Sequence, residues 1–316
     1  MNRVLGPRTG APVARITDHA TLIASLGITA DATYEAIQTA RRNRIVDSLA
    51  GCAPANAFPG EMAGYLAESA LRFAETLAWI EDLLGASATG GDASLLETGS
   101  NPYFLTILLA ERFPDLRHVG INFFGNPDTP VAMESQDVVD PKRRIGRSAY
   151  LHADVERTPL TGIGPFDVCL FCEVVEHLPW DPAWATFNLA RCVRAGGHLL
   201  LTTPNPARLD NIARLALHTG SKDDPISGYG IHGRHNREYT AAELEDLLRG
   251  TGFSIVRSRS LDVHPNVWSK NLEQRGYGHY LMVLARLESA PRLYRPDWLY
   301  RSFEPSRLAQ AASLAP

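Results

Sequence analysis

The chain has 316 residues, 45% hydrophobic and 21% charged, enough to bury a large core without disulfides. A formal net charge of −4 excludes a global pull towards nucleic acid or an anionic membrane surface. No uninterrupted apolar run approaches the ~20 residues of a membrane helix, and the leading MNRVLGPRTGAPVARITDHA lacks the apolar core of a signal peptide, so no membrane and a cytoplasmic location are the expectation.

Residues 1–90 read as an N-terminal helical cap. Segments 31–50 and 60–84 are rich in Ala, Leu, Glu and Arg. In the second, Leu66, Ala70, Phe73, Leu77, Ile80 and Leu84 recur at helical spacing and mark an amphipathic helix. The intervening GCAPANAFPG is a loop by its Gly and Pro content. From Asp92 short apolar runs alternate with helical stretches. Strands are expected at 94–96, 116–122, 150–153, 166–172, 198–203, 253–258 and 280–287. Helices are expected at 103–113, 182–193 and 241–250, the last opened by a capping box of Thr240 and Glu243 and stopped by Gly252. Such alternation predicts an α/β fold, a doubly wound, Rossmann-like, mostly parallel sheet of seven strands over residues 91–290, followed by a tail at 291–316.

The four cysteines stand at 52, 169, 172 and 192. Cys169 and Cys172 have the spacing of a metal pair, but they fall in the apolar run FDVCLFCEVV. Residues three apart on a strand point to opposite faces. Their reading is therefore as small core residues.

The first strand-to-helix turn is Glu97-Thr98-Gly99-Ser100-Asn101-Pro102. In a doubly wound sheet, ligands sit beyond the carboxyl ends of the strands. Gly99 lets the backbone approach a ligand closely, and Glu97 can take a cationic amino group. Further along come Val119-Gly120-Ile121-Asn122, then His152-Ala153-Asp154-Val155-Glu156, then FDVCLFCEVVEHL (166–178) and RAGGHLLLTTPN (194–205). In this order and spacing the series closely resembles the class I S-adenosylmethionine (SAM)-dependent methyltransferases, over about residues 92–288. The missing GxGxxG and the missing acid after the second strand count against an NAD-binding domain.

The resemblance implies SAM as cofactor. Glu97 and Gly99 would hold its methionine end, with Asn101 in the same turn. Asn122 stands where the family usually has an acid that binds the ribose hydroxyls. Asp154 would meet the adenine amino group beside the Val155 backbone. Cys172 and Glu173 would close over the cofactor.

Glu173, Glu176 and His177 form an ExxEH cluster beyond the fourth strand, and His232 and His235 precede the capped helix. This pairing resembles two metal-dependent branches of the superfamily, the small-RNA 3′-terminal 2′-O-methyltransferases and the ubiquinone-biosynthesis O-methyltransferases. It implies a divalent metal, Mg²⁺ or Mn²⁺, on Glu173, Glu176, His177 and His235, with His235 rather than His232 as the late ligand. A metal would lower the pKa of an acceptor hydroxyl. The alternative is metal-free, with Glu173 at cofactor or substrate and His177 as general base.

Arg208, Arg214, Lys222, Arg234 and Arg237 lie in the long connection before Thr240 and can take a phosphate or carboxylate. The acidic chain lacks an RNA-binding module, which counts against nucleic acid. A small-molecule acceptor such as a sugar or glycan precursor is the expectation. RNA 2′-O-methylation and a non-catalytic Rossmann-like binding protein are the alternatives.

Overall fold

Apolar side chains alternate along the central strands, and the two sets feed two cores. The computed structural model describes residues 19–50, 52, 59–85, 93–123, 147–218, 220 and 234–300. In chain order the elements are α1 (His19–Ser25), α2 (Ala32–Leu49), α3 (Pro59–Leu84), β1 (Ser94–Thr98), α4 (Phe104–Arg112), β2 (Arg117–Asn122), β3 (Arg147–His152) and β4 (Phe166–Cys172). There follow α5 (Pro182–Ala190), β5 (Val193–Pro204), α6 (Leu209–Ala216), α7 (Ala241–Thr251), β6 (Phe253–Leu261), α8 (Ser269–Gln274) and β7 (Tyr280–Leu287).

The strands form one sheet in the order β3-β2-β1-β4-β5-β7-β6. All pairings are parallel except those of β7, which runs antiparallel to both β5 and β6. Leu95, Val168, Leu170, Cys172, Leu200 and Met282 point into a core shared with α2, α3 and α4. Leu96, Cys169, Phe171, Leu199, Leu201 and Val283 point into a second core shared with α5 and α7. Cys169 and Cys172 thus sit in different cores, and all four cysteines are free and buried. Each fully buried Leu or Val contributes about 1.5–3 kcal/mol.

Local signals fix the helix ends near the crevice. Asp181 caps α5 by accepting from Trp184 N, with Pro182 in the first turn. Thr240 and Glu243 close the capping box of α7, and Gly252 ends it at φ 122°. The turn expected at Ala195-Gly196-Gly197 is an irregularity inside β5, which pairs with β4 on both sides of it. The sequence reading did not include α1 and α8, short helices that share a small satellite core through Ile23, Ile28 and Leu272.

Helix α3 buries the expected apolar face through Leu66, Ala70, Phe73, Ile80 and Leu84, and Glu68 and Asp82 stay exposed. Part of its polar side is buried as well: Ser69, Arg72 and Thr76, at i, i+3 and i+7. The helix shares one core with the sheet. The described part of the expected tail also docks on the domain: Trp298 and Tyr294 donate to Asp246 of α7, and Tyr300 meets Asp181. Among the described residues no helix is long and apolar enough to cross a membrane.

Glu75 ties three elements together. It accepts from Arg41 of α2 (2.8 Å), Arg259 of β6 (2.7 Å) and Trp79 (3.1 Å). Burial opposes its charge, but Arg259 and Arg41 outweigh this and hold its carboxyl below the usual range. Glu75→Ala is expected to cost about 2 kcal/mol, less than a fully buried pair because both arginines are partly exposed. The difference between wild type and variant in thermal unfolding should be full above the unfolded carboxylate pKa of about 4.3 and shrink as pH falls through the lower folded value.

Candidate active site at the carboxyl edge

β1 pairs with β2 on one side and β4 on the other, so the chain leaves the sheet in opposite directions and a crevice opens beyond their carboxyl ends. A cavity of about 340 Å³ fills it, lined by Thr98, Gly99 and Asn101 after β1, Asn122 at the end of β2, Asp154 and Val155 after β3, and Glu173 and His177 after β4. That volume lies in the range of small-molecule sites. A smaller cavity of about 60 Å³ adjoins the same Gly99 turn, lined by Glu97 and Cys172 and by Tyr65, Arg72 and Phe73 of α3. The seven residues expected at the cofactor all line one cavity or the other.

Gly99 adopts φ +68°, and a Cβ there would stand 2.6 Å from Val174 Cγ2. Its N–H donates to Ile121 O at 2.7 Å, which pins the turn to β2. Asn122 braces the same turn. Its Oδ1 accepts from Asn101 N (3.0 Å), and its Nδ2 donates to Ser100 Oγ (2.9 Å) and Tyr103 OH (3.2 Å). The amide thus both accepts and donates in this turn, where a carboxylate would only accept. Glu97 accepts from Thr106 Oγ1 (2.7 Å) and lies 2.8 Å from His118 Nε2 through the same oxygen, Oε2.

Glu173 has φ 54°, a left-handed conformation costing roughly 1–2 kcal/mol for a residue with a Cβ. Its N–H donates to Thr202 O, and its side chain accepts from Thr202 Oγ1 at 2.7 Å. Burial raises its pKa, while Arg72 pulls the other way. Arg72 Nε stands 3.8 Å from Glu173 Oε1. Burial opposes the charge of Arg72, but Glu173 outweighs it and raises the guanidinium pKa above its ordinary value.

Glu176, His177 and His235 offer ligand atoms that lie within 4.8 Å of one another. Glu176 is fully buried. Its Oε2 accepts from Thr203 (2.9 Å), and its Oε1 has no hydrogen-bond partner. Burial, aided by Glu173, pushes its pKa well above the usual carboxylate value. His177 Nδ1 lies 3.1 Å from the Arg234 carbonyl, which can only accept, so the neutral ring presents Nε2 as its unprotonated nitrogen. His235 Nδ1 lies 3.4 Å from Glu238, an arrangement that orients metal-binding imidazoles. The backbone amides of Asn236 and Arg237 donate to Glu176 O, drawing the late segment onto the ExxEH turn. Two imidazoles and an orphaned buried carboxylate oxygen fit a divalent cation. Glu173 stands outside this cluster, held by Thr202 and Arg72.

His232 and Lys222 lie outside the described residues. Arg208 pairs with Glu238, and Arg237 with Glu243, so the expected anion-binding loop uses both internally. Arg72 and Tyr65 were missed by sequence reasoning. The available signal was the polar i, i+3, i+7 stripe of α3, which reads equally well as a solvated face.

The family model described as "Methyltransferase domain" matches residues 66–258, more than half of the chain. The chain belongs to this methyltransferase-domain family. A probable SAM-dependent methyltransferase of Mycolicibacterium smegmatis is 32% identical over 37% of the chain and 40% of that protein. One of Mycobacterium tuberculosis is 33% identical over 49% of the chain and 50% of that protein. The chain thus spans about half the length of the curated relatives it matches. The solved structure of a magnesium protoporphyrin IX methyltransferase from Synechocystis PCC 6803 with bound SAH is similar at 14% identity, over 70% of the chain and 86% of that one, with a TM-score of 0.45.

Two outcomes are expected of this methyltransferase-domain site. Gly99→Ala forces a Cβ into Val174 at a left-handed φ, so it should weaken binding of S-adenosyl ligands at least about tenfold, roughly 1.4 kcal/mol, in calorimetry. Glu156 Oε1 accepts from Trp180 N (2.9 Å) and Asp181 N (2.6 Å), holding the segment that follows Leu178 in the cavity wall. Burial raises its pKa to about 7. The folded state therefore keeps a proton that the unfolded state releases near pH 4.3, and stability falls by roughly 3 kcal/mol as pH rises from ~4.3 to ~7. Glu156→Gln keeps the acceptor and loses the titration, so its denaturation midpoint should exceed that of wild type at pH 8 and match it at pH 4.

Proposed function

We propose that this chain is a SAM-dependent methyltransferase that methylates a hydroxyl oxygen of a small polar acceptor, such as a sugar or glycan precursor. Glu176, His177 and His235 would hold a divalent cation, Mg²⁺ or Mn²⁺. The observation that carries this reading is the buried, unpartnered Glu176 Oε1 beside two imidazoles, one of which lines the larger cavity.

When bound, SAM supplies a sulfonium methyl group to a nucleophile in line with the bond that breaks. The residues around it position that nucleophile, and positioning supplies much of the rate. Gly99 gives close backbone approach, Asn122 keeps the turn rigid, and Asp154 and Val155 stand where the adenine end would lie. Glu173, held by Thr202 at the junction of the two cavities, faces both cofactor and acceptor. A cation on the Glu176 cluster would lower the pKa of an acceptor hydroxyl. The acidic chain and the internal pairing of Arg208 and Arg237 favour a small acceptor over nucleic acid.

A second reading has its own support. The Arg234 carbonyl sets His177 with Nε2 unprotonated, which also suits a general base in a site without metal.

Incubating the protein with labelled SAM and fractionated cell extract should place label in a small polar fraction. Label found only in RNA or protein would sink the acceptor reading. Excess EDTA should abolish transfer while leaving binding of S-adenosylhomocysteine intact, and Mn²⁺ should restore it. His235→Ala should raise the Mn²⁺ concentration needed at least about tenfold. Full transfer in EDTA, with only His177→Ala inactive, would decide for the base.

A further inference from the structure

The three candidate cation ligands come from two segments: Glu176 and His177 from the turn after β4, and His235 from the approach to α7. Such a site binds tightly only if the separation of its ligands is fixed in advance. At the ligands themselves, a few polar contacts fix it. His177 Nδ1 lies 3.1 Å from Arg234 O, and Asn236 donates through N to Glu176 O (2.7 Å) and through Nδ2 to His177 O (2.7 Å).

A turn near the end of the described chain grips both segments further along. Pro296 O accepts from Leu299 N (3.0 Å) and Tyr300 N (3.3 Å), which holds Trp298 and Tyr300 at a set spacing. One arm reaches the His177 segment. Tyr300 and Arg295 both bond Asp181, the cap of α5, and the Ala183 amide donates to the Tyr300 hydroxyl at 3.0 Å. The other arm reaches the His235 segment. The Trp298 ring lies 5.4 Å from the Arg237 guanidinium carbon and meets the Tyr239 ring edge-on at 6.5 Å. Trp298 and Tyr294 donate to one oxygen of Asp246 on α7, at 2.8 and 3.1 Å. Gly250 seats the Tyr294 ring, since a Cβ there would stand 1.9 Å from its Cδ1.

We infer that the Pro296 turn is a positioning device for the cation site, with Trp298 the residue that holds the His235 segment within reach of Glu176 and His177. This rests on the metal reading above and carries it to a part of the chain outside the strand-end motifs. Neither Trp298 nor Tyr300 lines either cavity, so cation affinity depends on the turn while cofactor affinity does not.

The test is a Mn²⁺ titration of the whole chain, read from the EPR signal of the free ion, beside calorimetric binding of S-adenosylhomocysteine. Trp298→Ala strips the ring from Arg237 and Tyr239 and should weaken Mn²⁺ binding at least about tenfold, the scale for groups that orient metal ligands. Binding of S-adenosylhomocysteine should stay within about twofold of wild type. Trp298→Phe keeps a ring in place and should recover most of the Mn²⁺ affinity. Tyr300→Phe deletes a single hydroxyl and keeps the packing, so it tests the other arm in a chain that folds; it should weaken Mn²⁺ about threefold, the size of one lost hydrogen bond. Unchanged Mn²⁺ affinity in both Trp298→Ala and Tyr300→Phe would overturn the role of the turn. Parallel loss of both ligands would overturn it too, by showing a general stabiliser of the fold. Wild type that binds no Mn²⁺ would overturn the cation site itself, and this role with it.

Discussion

Two ionisable side chains, Arg72 and Glu176, are held out of water where the cap helix meets the carboxyl edge of the sheet, and a third, Glu173, is partly buried beside Arg72. Desolvating charge is expensive, and the cost is tolerable only where opposite charges and hydrogen bonds surround it. Arg72 faces Glu173, Thr202 and Thr203 donate to the two carboxylates, and Glu173 accepts a left-handed backbone to do so. These groups are incompletely satisfied: Glu176 Oε1 and Arg72 Nε have no hydrogen bond. Such a store of unmet polar demand at a crevice is the mark of a site arranged for something else to complete it.

The sheet supplies the geometry for that arrangement. Strand order 3-2-1-4-5-7-6 puts the switch point between β1 and β4, and the Gly99 turn and the Glu173 turn stand at its two lips. The antiparallel β7 brings Tyr280 beside Arg72, and β5 ends in the two threonines that hold the carboxylates. Helix α3 roofs the smaller cavity from the other side. Anchors far from the crevice, Glu75 to Arg41 and Arg259 among them, keep that roof in register.

Much of this was legible in the chain. Alternation of apolar runs with helical stretches gave the seven strands, because a doubly wound sheet buries its central strands on both faces and their residues must be apolar. The CxxC pair was correctly read as two core positions, since strand periodicity alone separates Cys169 from Cys172. The capping box at Thr240 was legible because its chemistry is local. The short helices α1 and α8 were not, because their stability comes from a satellite core shared across more than two hundred residues rather than from a repeat within either segment.

By itself the sequence determined the strand-end order of Glu97, Gly99, Asn122, Asp154 and Glu173, because a parallel sheet returns every strand end to one edge. It also determined which residue types could bind a cation, but not which would meet. Only the tertiary structure decided that Glu176, His177 and His235 converge while Glu173 turns to Thr202 and Arg72, since that depends on a backbone pairing between Glu176 and Asn236 sixty residues apart. Only it decided, too, that the polar stripe of α3 faces inward. Helical periodicity separates polar from apolar sides but cannot say which partner covers the polar one, and here that partner is the edge of the sheet that carries the site.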